Sequence, residues 1–274
     1  MNCRNPKCRK PVPPSTRLCP TCSWDNGYPN VRQAHAERTA LRRRLKLAEE
    51  DAIRRSCLDQ LKMLREHLQT SVAVIATSAS KAHALLSDSS EAYTTFYRVV
   101  DSGARTPRAN WFDQVRGVAD ELLFPNYRDY ISFAALSLNG IGCWYYGSVH
   151  LVLADFAIRE RATAFEENSL FFCQKHQLGV HSPVPPGYRA VWKRRDELAA
   201  AKLSPIVHSA TSHQDLPGIL LRRPEEVDAD FVEIHIFERL NRDSIQKVVV
   251  RAGGTDDDVI MKALVLGDCQ RANI

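Results

Sequence analysis

The longest regular pattern of apolar and polar residues lies in the first third of the chain. Residues 31–102 contain neither proline nor glycine. Within them Leu41, Leu45, Ala48 and Ala52 are spaced by four, three and four residues, and apolar residues up to 75 keep a similar period. This spacing predicts a long amphipathic helix over residues 31–86 that projects the N-terminal module from the main body. Its apolar stripe either packs on that body or forms a coiled-coil dimer seam, and we favour packing.

After residue 110 the pattern changes to short segments rich in aromatic and β-branched residues. The predicted strands lie at residues 131–138, 144–153, 161–172, 205–209, 231–237 and 246–251. Asn139-Gly140 is a typical hairpin turn between the first two of them. The predicted helices lie at residues 91–100, 111–124 and 188–203 and after the N-cap residue Thr255, and a loop is expected at 103–110.

Strands with few interspersed helices are typical of an α+β domain, not of a regular βαβ repeat. The sequence therefore predicts three parts. They are an N-terminal metal-binding module at residues 1–30, a helical segment at 31–102 and an α+β domain at 103–274.

The metal-binding module is predicted from four cysteines in the first 22 residues. Cys3-x4-Cys8 and Cys19-x2-Cys22 form two close pairs separated by ten residues, the spacing of a tetrahedral Zn(Cys)4 site. The alternatives are four unrelated thiols, or two disulfides of a secreted protein. A segment this small cannot bury enough apolar surface to fold alone, so bound Zn²⁺ would supply the folding free energy. We therefore expect a structural zinc ribbon.

Positive charge is concentrated at the start of the chain. Residues 1–47 contain eleven Lys and Arg residues and two acidic residues, Asp25 and Glu37, while the whole chain of 274 residues has a net charge of +5. Everything after residue 47 is therefore net acidic. A basic block of this kind attracts phosphates and predicts nucleic acid as a partner. The alternative is a solvated helix face that keeps the protein soluble.

Several classes of protein are disfavoured by what the sequence lacks. No apolar stretch approaches the roughly 20 residues needed to span a bilayer, and no apolar run follows the basic residues at the start, so we expect no membrane association and no secretory signal. The cysteines outside the two pairs are scattered singly, which fits a reducing compartment, and we expect a cytoplasmic protein. The motifs GxxxxGK[ST], GxGxxG, HExxH and GxSxG are absent, which disfavours ATPases, Rossmann dehydrogenases, zinc proteases and hydrolases.

A candidate active-site strand lies at residues 231–237. In an extended strand Phe231, Glu233, His235 and Phe237 share one face, and the apolar residues between them share the other. A carboxylate beside an imidazole and two aromatic rings can form the wall of an active site. The alternative is a surface strand whose polar face meets solvent, with Glu233 paired to an arginine.

Four segments together carry a family resemblance. They are residues 145–153 (YYGSVHLVL), 159–169 (RERATAFEENS), 231–240 (FVEIHIFERL) and 243–250 (DSIQKVVV). They resemble the ADP-ribosyltransferase-like domains of bacterial toxins and phage-defence proteins. In those domains a YG-x-V-x-LVL strand leads to an R-A-T…(N/D)-S strand, and a later strand with one Glu precedes an I-x-x-V-V-V strand. The match covers about residues 130–251.

The resemblance implies a mixed domain of two small sheets with a cleft between them that binds NAD. Glu233 would bond the ribose hydroxyl beside the reacting carbon and stabilise positive charge as nicotinamide leaves. Tyr146 would stack on the nicotinamide, and Arg161 would hold the pyrophosphate through its planar donor fork. Asn168 and Ser169 would hydrogen-bond the nicotinamide ribose or amide. The alternatives are ordinary strand packing for Tyr146 and a surface position for Arg161.

Two features depart from the family pattern. No first-strand Arg or His is evident for the ribose-binding role, and His235 stands two residues from Glu233 in place of a second glutamate or glutamine. If that paired position selects the acceptor, His235 indicates an acceptor other than a protein side chain, such as a nucleobase.

The leading hypothesis is an NAD-dependent ADP-ribosyltransferase of toxin or defence type that acts on a macromolecule. Glu233 and His235 are its predicted catalytic residues, NAD is its predicted substrate, and an antitoxin or other protein is a further predicted partner. The alternative hypothesis is a non-enzymatic zinc-ribbon protein that binds nucleic acid or a protein partner. A third reading is an adaptor that dimerises through the helix at 31–86.

Overall fold

The computed structural model describes residues 1–93, 111–179 and 182–274. The helices in these residues are α1 (Pro29–Ala36), α2 (Arg38–Arg54), α3 (Leu58–Leu68), α4 (Ala79–Ser87), α5 (Trp111–Leu123), α6 (Asp155–Ile158), α7 (Ser169–Lys175), α8 (Arg195–Leu203), α9 (Leu216–Leu220) and α10 (Asp256–Ala272). The strands are β1 (Val72–Thr77), β2 (Ile131–Ser137), β3 (Val149–Leu153), β4 (Ala162–Phe165), β5 (Arg189–Val191), β6 (Glu233–Phe237) and β7 (Ile245–Val250). The predicted loop at 103–110 and nearly all of the predicted helix at 91–100 lie outside the described residues.

The predicted single helix over residues 31–86 is wrong. The chain instead forms three short helices, a strand and a fourth helix, and Ser56 between α2 and α3 is left-handed with a φ of 55°. Val72 and Ile75, which the apolar period placed on the helix, lie in β1. Four of the six residues of β1 are β-branched, and such side chains favour an extended backbone over a helix.

The apolar stripe of α2 and α3 packs on the protein itself. Leu41 and Leu45 on α2 and Leu61 and Leu64 on α3 are buried, and both helices contact α8. These leucines therefore pack inside the protein's own core. The stripe therefore leaves no coiled-coil seam for a dimer through this segment.

All seven strands of the described residues join one antiparallel sheet in the order β5-β4-β6-β2-β1-β3-β7. The predicted strands at 131–138, 231–237 and 246–251 correspond to β2, β6 and β7. The predicted strand at 205–209 is wrong, because Ser204–Ile206 is a 3₁₀-helix.

Three further predictions in this region are corrected by the structure. The predicted strand at 161–172 holds only as far as the end of β4, because α7 follows it. The predicted helix at 188–203 starts as β5 before α8 begins. The predicted hairpin at Asn139-Gly140 is wrong, because β1 lies between β2 and β3 in the sheet.

The sheet is open at its centre, between β1 and β2. These strands pair over only three residues each, from Val72↔Ser137 to Val74↔Ala135. Beyond them, the last three residues of β1 pair only with β3, and residues 131–134 of β2 pair only with β6. The predicted two-sheet layout is therefore not confirmed. The single sheet is instead split along part of its length into β5-β4-β6-β2 and β1-β3-β7.

The two faces of β6 enter different cores. Ile234 and Ile236 belong to the main apolar core, which also contains the buried leucines of α2, α3 and α8. Phe237 on the other face belongs to a second core, with Phe124, Phe165 and Phe172. Glu233 and His235 share this second face because side chains alternate along a strand. The candidate acid and imidazole thus lie beneath α5 and α7.

The N-terminal module is tied to the ends of β4 and β6. Asn30 on α1 is buried, and its amide nitrogen donates to the carbonyl oxygens of Arg161 at 2.9 Å and His235 at 3.1 Å. Tyr28 packs against Phe237 with ring centroids 5.7 Å apart. The module is therefore seated on the body, contrary to the predicted projecting arrangement.

We expect Asn30→Ala to lower the free energy of unfolding by about 1–3 kcal/mol, because two buried carbonyls each lose a donor. Urea denaturation followed by circular dichroism measures the change. Gln270→Ala, an exposed change on α10, is the matched control and should have almost no effect. An unchanged denaturation midpoint in Asn30→Ala would show that this amide does not anchor the module.

Candidate functional site

Glu233 is the first residue of β6, in the half of the sheet that contains β2 and β4. It lies opposite Ala135 on β2 and Phe165 on β4, and only 4% of its surface is exposed. The predicted alternative of a solvent-facing surface strand is therefore wrong. A carboxylate buried this deeply has to be hydrogen-bonded.

The hydrogen-bond donors come from the start of α7 and from β6 itself. Oε2 of Glu233 accepts from the backbone N–H of Ser169 at 3.0 Å and from its hydroxyl at 2.5 Å. Nε2 of His235 lies 2.8 Å from the same oxygen. Oε1 has one longer contact, from the amide nitrogen of Asn168 at 3.5 Å. The two oxygens thus differ, since Oε2 is fully engaged and Oε1 is nearly free.

His235 lies behind the carboxylate and not beside the cavity. Its ring is 1% exposed and is surrounded by Phe124, Phe133 and Phe165, with centroids 4.7, 5.5 and 5.2 Å away. A carboxylate only accepts hydrogen bonds, so Nε2 must carry the proton that points to Glu233. His235 can therefore orient Glu233, but its buried ring does not line the cavity between β1 and β2.

A cavity of about 270 Å³ fills the gap where β1 and β2 separate. Val74, Ala76 and Thr77 line one side of it, and residues 131–135 line the other. The polar side chains that line it are those of Thr77, Ser78, Lys81, Tyr93, Arg116, Ser132, Tyr146, Asn168 and Glu233. The cavity therefore has one acidic wall and two basic side chains.

Tyr146 reaches this cavity because of the glycine that follows it. Gly147 has a φ of 157°, and a Cβ built on it would lie 2.1 Å from the carbonyl of Thr77, so only glycine fits against the end of β1. The hydroxyl of Tyr146 lies 3.4 Å from the amide nitrogen of Asn168. Desolvation, with the Glu233 carboxylate nearby, raises the pKa of Tyr146.

The structure thus brings together Tyr146, Asn168, Ser169, Glu233 and His235, but it separates Arg161 from them. The Arg161 guanidinium donates to the carbonyl oxygens of Ala157, Phe237 and Arg239 at 2.8 to 2.9 Å. Arg161 does not line the cavity. The arginine of the R-A-T segment therefore braces the chain at the end of β6 and is not positioned to hold a pyrophosphate.

Sequence reasoning missed Lys81 and Arg116. Lys81 is exposed on α4, and no acidic side chain of the described residues pairs with it. Arg116 on α5 is bonded to Asp120 at 3.3 Å. The sequence did contain a signal for the position of Lys81. Serine is a typical N-cap residue, and Ser78 directly after the β-branched residues of β1 indicates that a helix starts there with Lys81 in its first turn. In the structure the Ser78 side chain accepts a hydrogen bond from the backbone N–H of Lys81. The prediction of one long helix concealed this signal.

The four N-terminal cysteines form a second site. Their sulfur atoms all lie within 4.8 Å of one another. The Sγ atoms of Cys3 and Cys22 are 3.7 Å apart and those of Cys8 and Cys19 are 3.9 Å apart. Four thiolates at tetrahedral corners about 2.3 Å from a metal ion would be separated by about 3.8 Å. All four are free thiols, so the disulfide alternative is wrong, and the cluster is compatible with a structural metal site.

Two buried thiols are predicted to make the folded state less stable at alkaline pH. Desolvation raises the pKa of Cys143 and of Cys173 to about 12, whereas an unfolded thiol ionises near pH 8.5. Stability is therefore fully present below about pH 8.5 and is lost as the pH rises toward 12, by about 1.4 kcal/mol per pH unit for each thiol. Urea denaturation from pH 8 to pH 11 measures this slope. The Cys143→Ala/Cys173→Ala variant should show a shallower slope, and an identical slope would contradict the assignment.

The chain matches no protein-family model and no curated protein. Among the helices of the described residues, none is both long enough and apolar enough to cross a membrane.

Proposed function

We propose that the chain is an NAD-dependent ADP-ribosyltransferase whose cleft is the gap between β1 and β2. The observation that carries this proposal is the meeting of Glu233, Asn168 and Tyr146, from three separate segments, at the wall of one cavity. These are the residues to which the family resemblance assigns NAD chemistry. The split sheet supplies a cleft of the kind that this resemblance implies.

Glu233 is the proposed catalytic carboxylate. Ser169 and His235 hold Oε2, which leaves Oε1 to accept a hydrogen bond from a ribose hydroxyl. As the C1′–N bond of NAD breaks, its electron pair leaves with nicotinamide and positive charge develops on the ribose. A fixed carboxylate in a water-poor site stabilises that charge. A nucleophilic atom of the acceptor then bonds to C1′ and releases its proton to water.

The remaining cavity residues fit the other parts of NAD. Tyr146 is proposed to stack on the nicotinamide, and Asn168 to bond its ribose or amide. Ser169 is buried against Glu233, so we assign it to positioning. Lys81 replaces Arg161 as the proposed partner of the pyrophosphate, because Lys81 is a cationic residue that lines the cavity and phosphates bind cations of this kind.

The acceptor is proposed to be a macromolecule, and the exposed basic residues of the N-terminal module favour nucleic acid. The same residues support the second candidate function, a non-enzymatic zinc-ribbon protein that binds nucleic acid. The two candidates differ in whether Glu233 is needed for activity.

We expect Glu233→Gln to reduce nicotinamide release from NAD by about 10²- to 10³-fold, because the amide keeps the shape of the side chain but not its charge. The measurement is nicotinamide released from labelled NAD in the presence of a cell extract. Glu225→Gln, an exposed change, is the matched control and should retain full activity. Undiminished release by a folded Glu233→Gln protein would overturn the enzymatic proposal.

We propose that the ion of the four-cysteine cluster is Zn²⁺, since four thiolates in a tetrahedron suit it. The purified protein should then contain about one zinc per chain. Cys19→Ser should lose the metal and lower the thermal midpoint, whereas Cys269→Ala, outside the cluster, should retain it. Elemental analysis measures the metal, and wild-type protein without zinc, or with iron in its place, would refute the identity.

A further inference from the structure

The N-terminal module sits at the end of the sheet where the cleft opens. Since β1 and β2 are antiparallel, the last residue of β1, Thr77, and the first residue of β2, Ile131, lie at the same end. Ile131 pairs with Phe237, against which Tyr28 of the module packs. Arg17 reaches the neighbouring Glu238, with Nη1 3.5 Å from Oε1. The mouth of the cleft and the module are therefore adjacent.

A line of aromatic rings connects them. Tyr130 stacks on Phe237 with centroids 5.7 Å apart and planes 17° apart, and Phe237 contacts Tyr28. The Arg17 guanidinium lies 4.3 Å from the centre of the Tyr28 ring. Two rings of this region face solvent, since Tyr130 is 46% exposed and Trp24, which directly precedes the Asp25 that pairs with Arg17, is 47% exposed. We call the surface from Tyr130 across Arg17 to Trp24 the aromatic track.

Positive charge is concentrated in the module that carries one end of the track. Four basic side chains of the module are exposed, and no acidic side chain of the described residues pairs with them: Arg4, Lys7, Arg9 and Lys10. Three acidic residues contact the track or adjoin it in sequence: Asp25 and Glu238 pair with Arg17, and Asp129, beside Tyr130, pairs with Arg128. Residues 1–30 contain five basic residues and one acidic residue, so the module has a net charge of +4, which suits a polyanion.

From these observations we propose that the aromatic track and the four basic residues bind single-stranded nucleic acid and lead it to the mouth of the cleft. The basic residues bind phosphates, and the exposed rings stack on unpaired bases. A duplex offers no free base faces, and α1, the helix that begins in the module, packs on β4, β5 and β6 and is not free to enter a major groove. The inference rests on the proposed function insofar as it identifies the acceptor, although the binding itself does not require NAD.

The test measures binding of a fluorescein-labelled 20-nucleotide single strand, and of the matching duplex, to the full chain without NAD at several salt concentrations. Trp24→Ala should weaken single-strand binding by at least about fivefold. Lys7→Ala/Lys10→Ala should weaken it and reduce the slope of log affinity against log salt by about 1.4. The control Lys193→Ala/Lys247→Ala, which removes two exposed lysines outside the module, should change neither. Equal losses in the control, or a duplex bound as tightly as the single strand, would overturn the proposal.

A parallel measurement separates this proposal from the proposed function. Glu233→Gln should bind the single strand as wild type does, while label from NAD should reach the strand with wild type only. Trp24→Ala should release nicotinamide without oligonucleotide at the wild-type rate but transfer less label to it. Binding without any NAD cleavage would refute the enzyme and retain the track. Cleavage without single-strand binding would refute the track and retain the enzyme.

Discussion

The early separation of β1 from β2 is the constraint on which the rest of the structure depends. Strands that stay paired satisfy each other's backbone groups, whereas strands that separate leave those groups for water or a ligand. Two features hold the strands apart. Ser78 caps α4 immediately after β1 and turns the chain away, and the Tyr146–Gly147 turn packs directly on the carbonyl of Thr77. A gap in the middle of a sheet is thereby maintained, with a carboxylate at its side.

The carboxylate of Glu233 can be buried in that position only because neighbouring groups donate hydrogen bonds to it. A buried charge needs hydrogen-bond donors. Here they come from the start of α7, which lies beside β6, and from the imidazole of His235, two residues further along the strand. Three phenylalanines enclose that imidazole. The aromatic core beneath α5 and α7 thus positions Glu233 indirectly, because it fixes the ring that holds the carboxylate.

The sequence was informative where one face or one spacing determined the outcome. The alternation in residues 231–237 correctly placed Glu233 and His235 on one face, and the cysteine spacing correctly predicted a four-thiol cluster. The sequence was misleading where the apolar spacing of a helix runs into that of a strand. The apolar residues of β1 continue the helical spacing of α3, and so the two elements were predicted as one helix. The order of strands also depends on contacts between distant segments, so Asn139-Gly140 appeared to be a hairpin. Arg161 could not be placed because its role depends on carbonyl oxygens of Phe237 and Arg239, which no local pattern reveals.

The N-terminal module cannot be regarded as a detachable recognition unit. One buried amide, that of Asn30, bonds the carbonyl of His235 in the strand that carries the candidate carboxylate. A segment this small buries little apolar surface, so a metal ion bound by the four cysteines would stabilise the module and with it the position of Asn30. Loss of such an ion would weaken a hydrogen bond to β6 itself. The four-cysteine cluster and β6 are therefore structurally linked, both through the amide of Asn30 and through the packing of Tyr28 on Phe237.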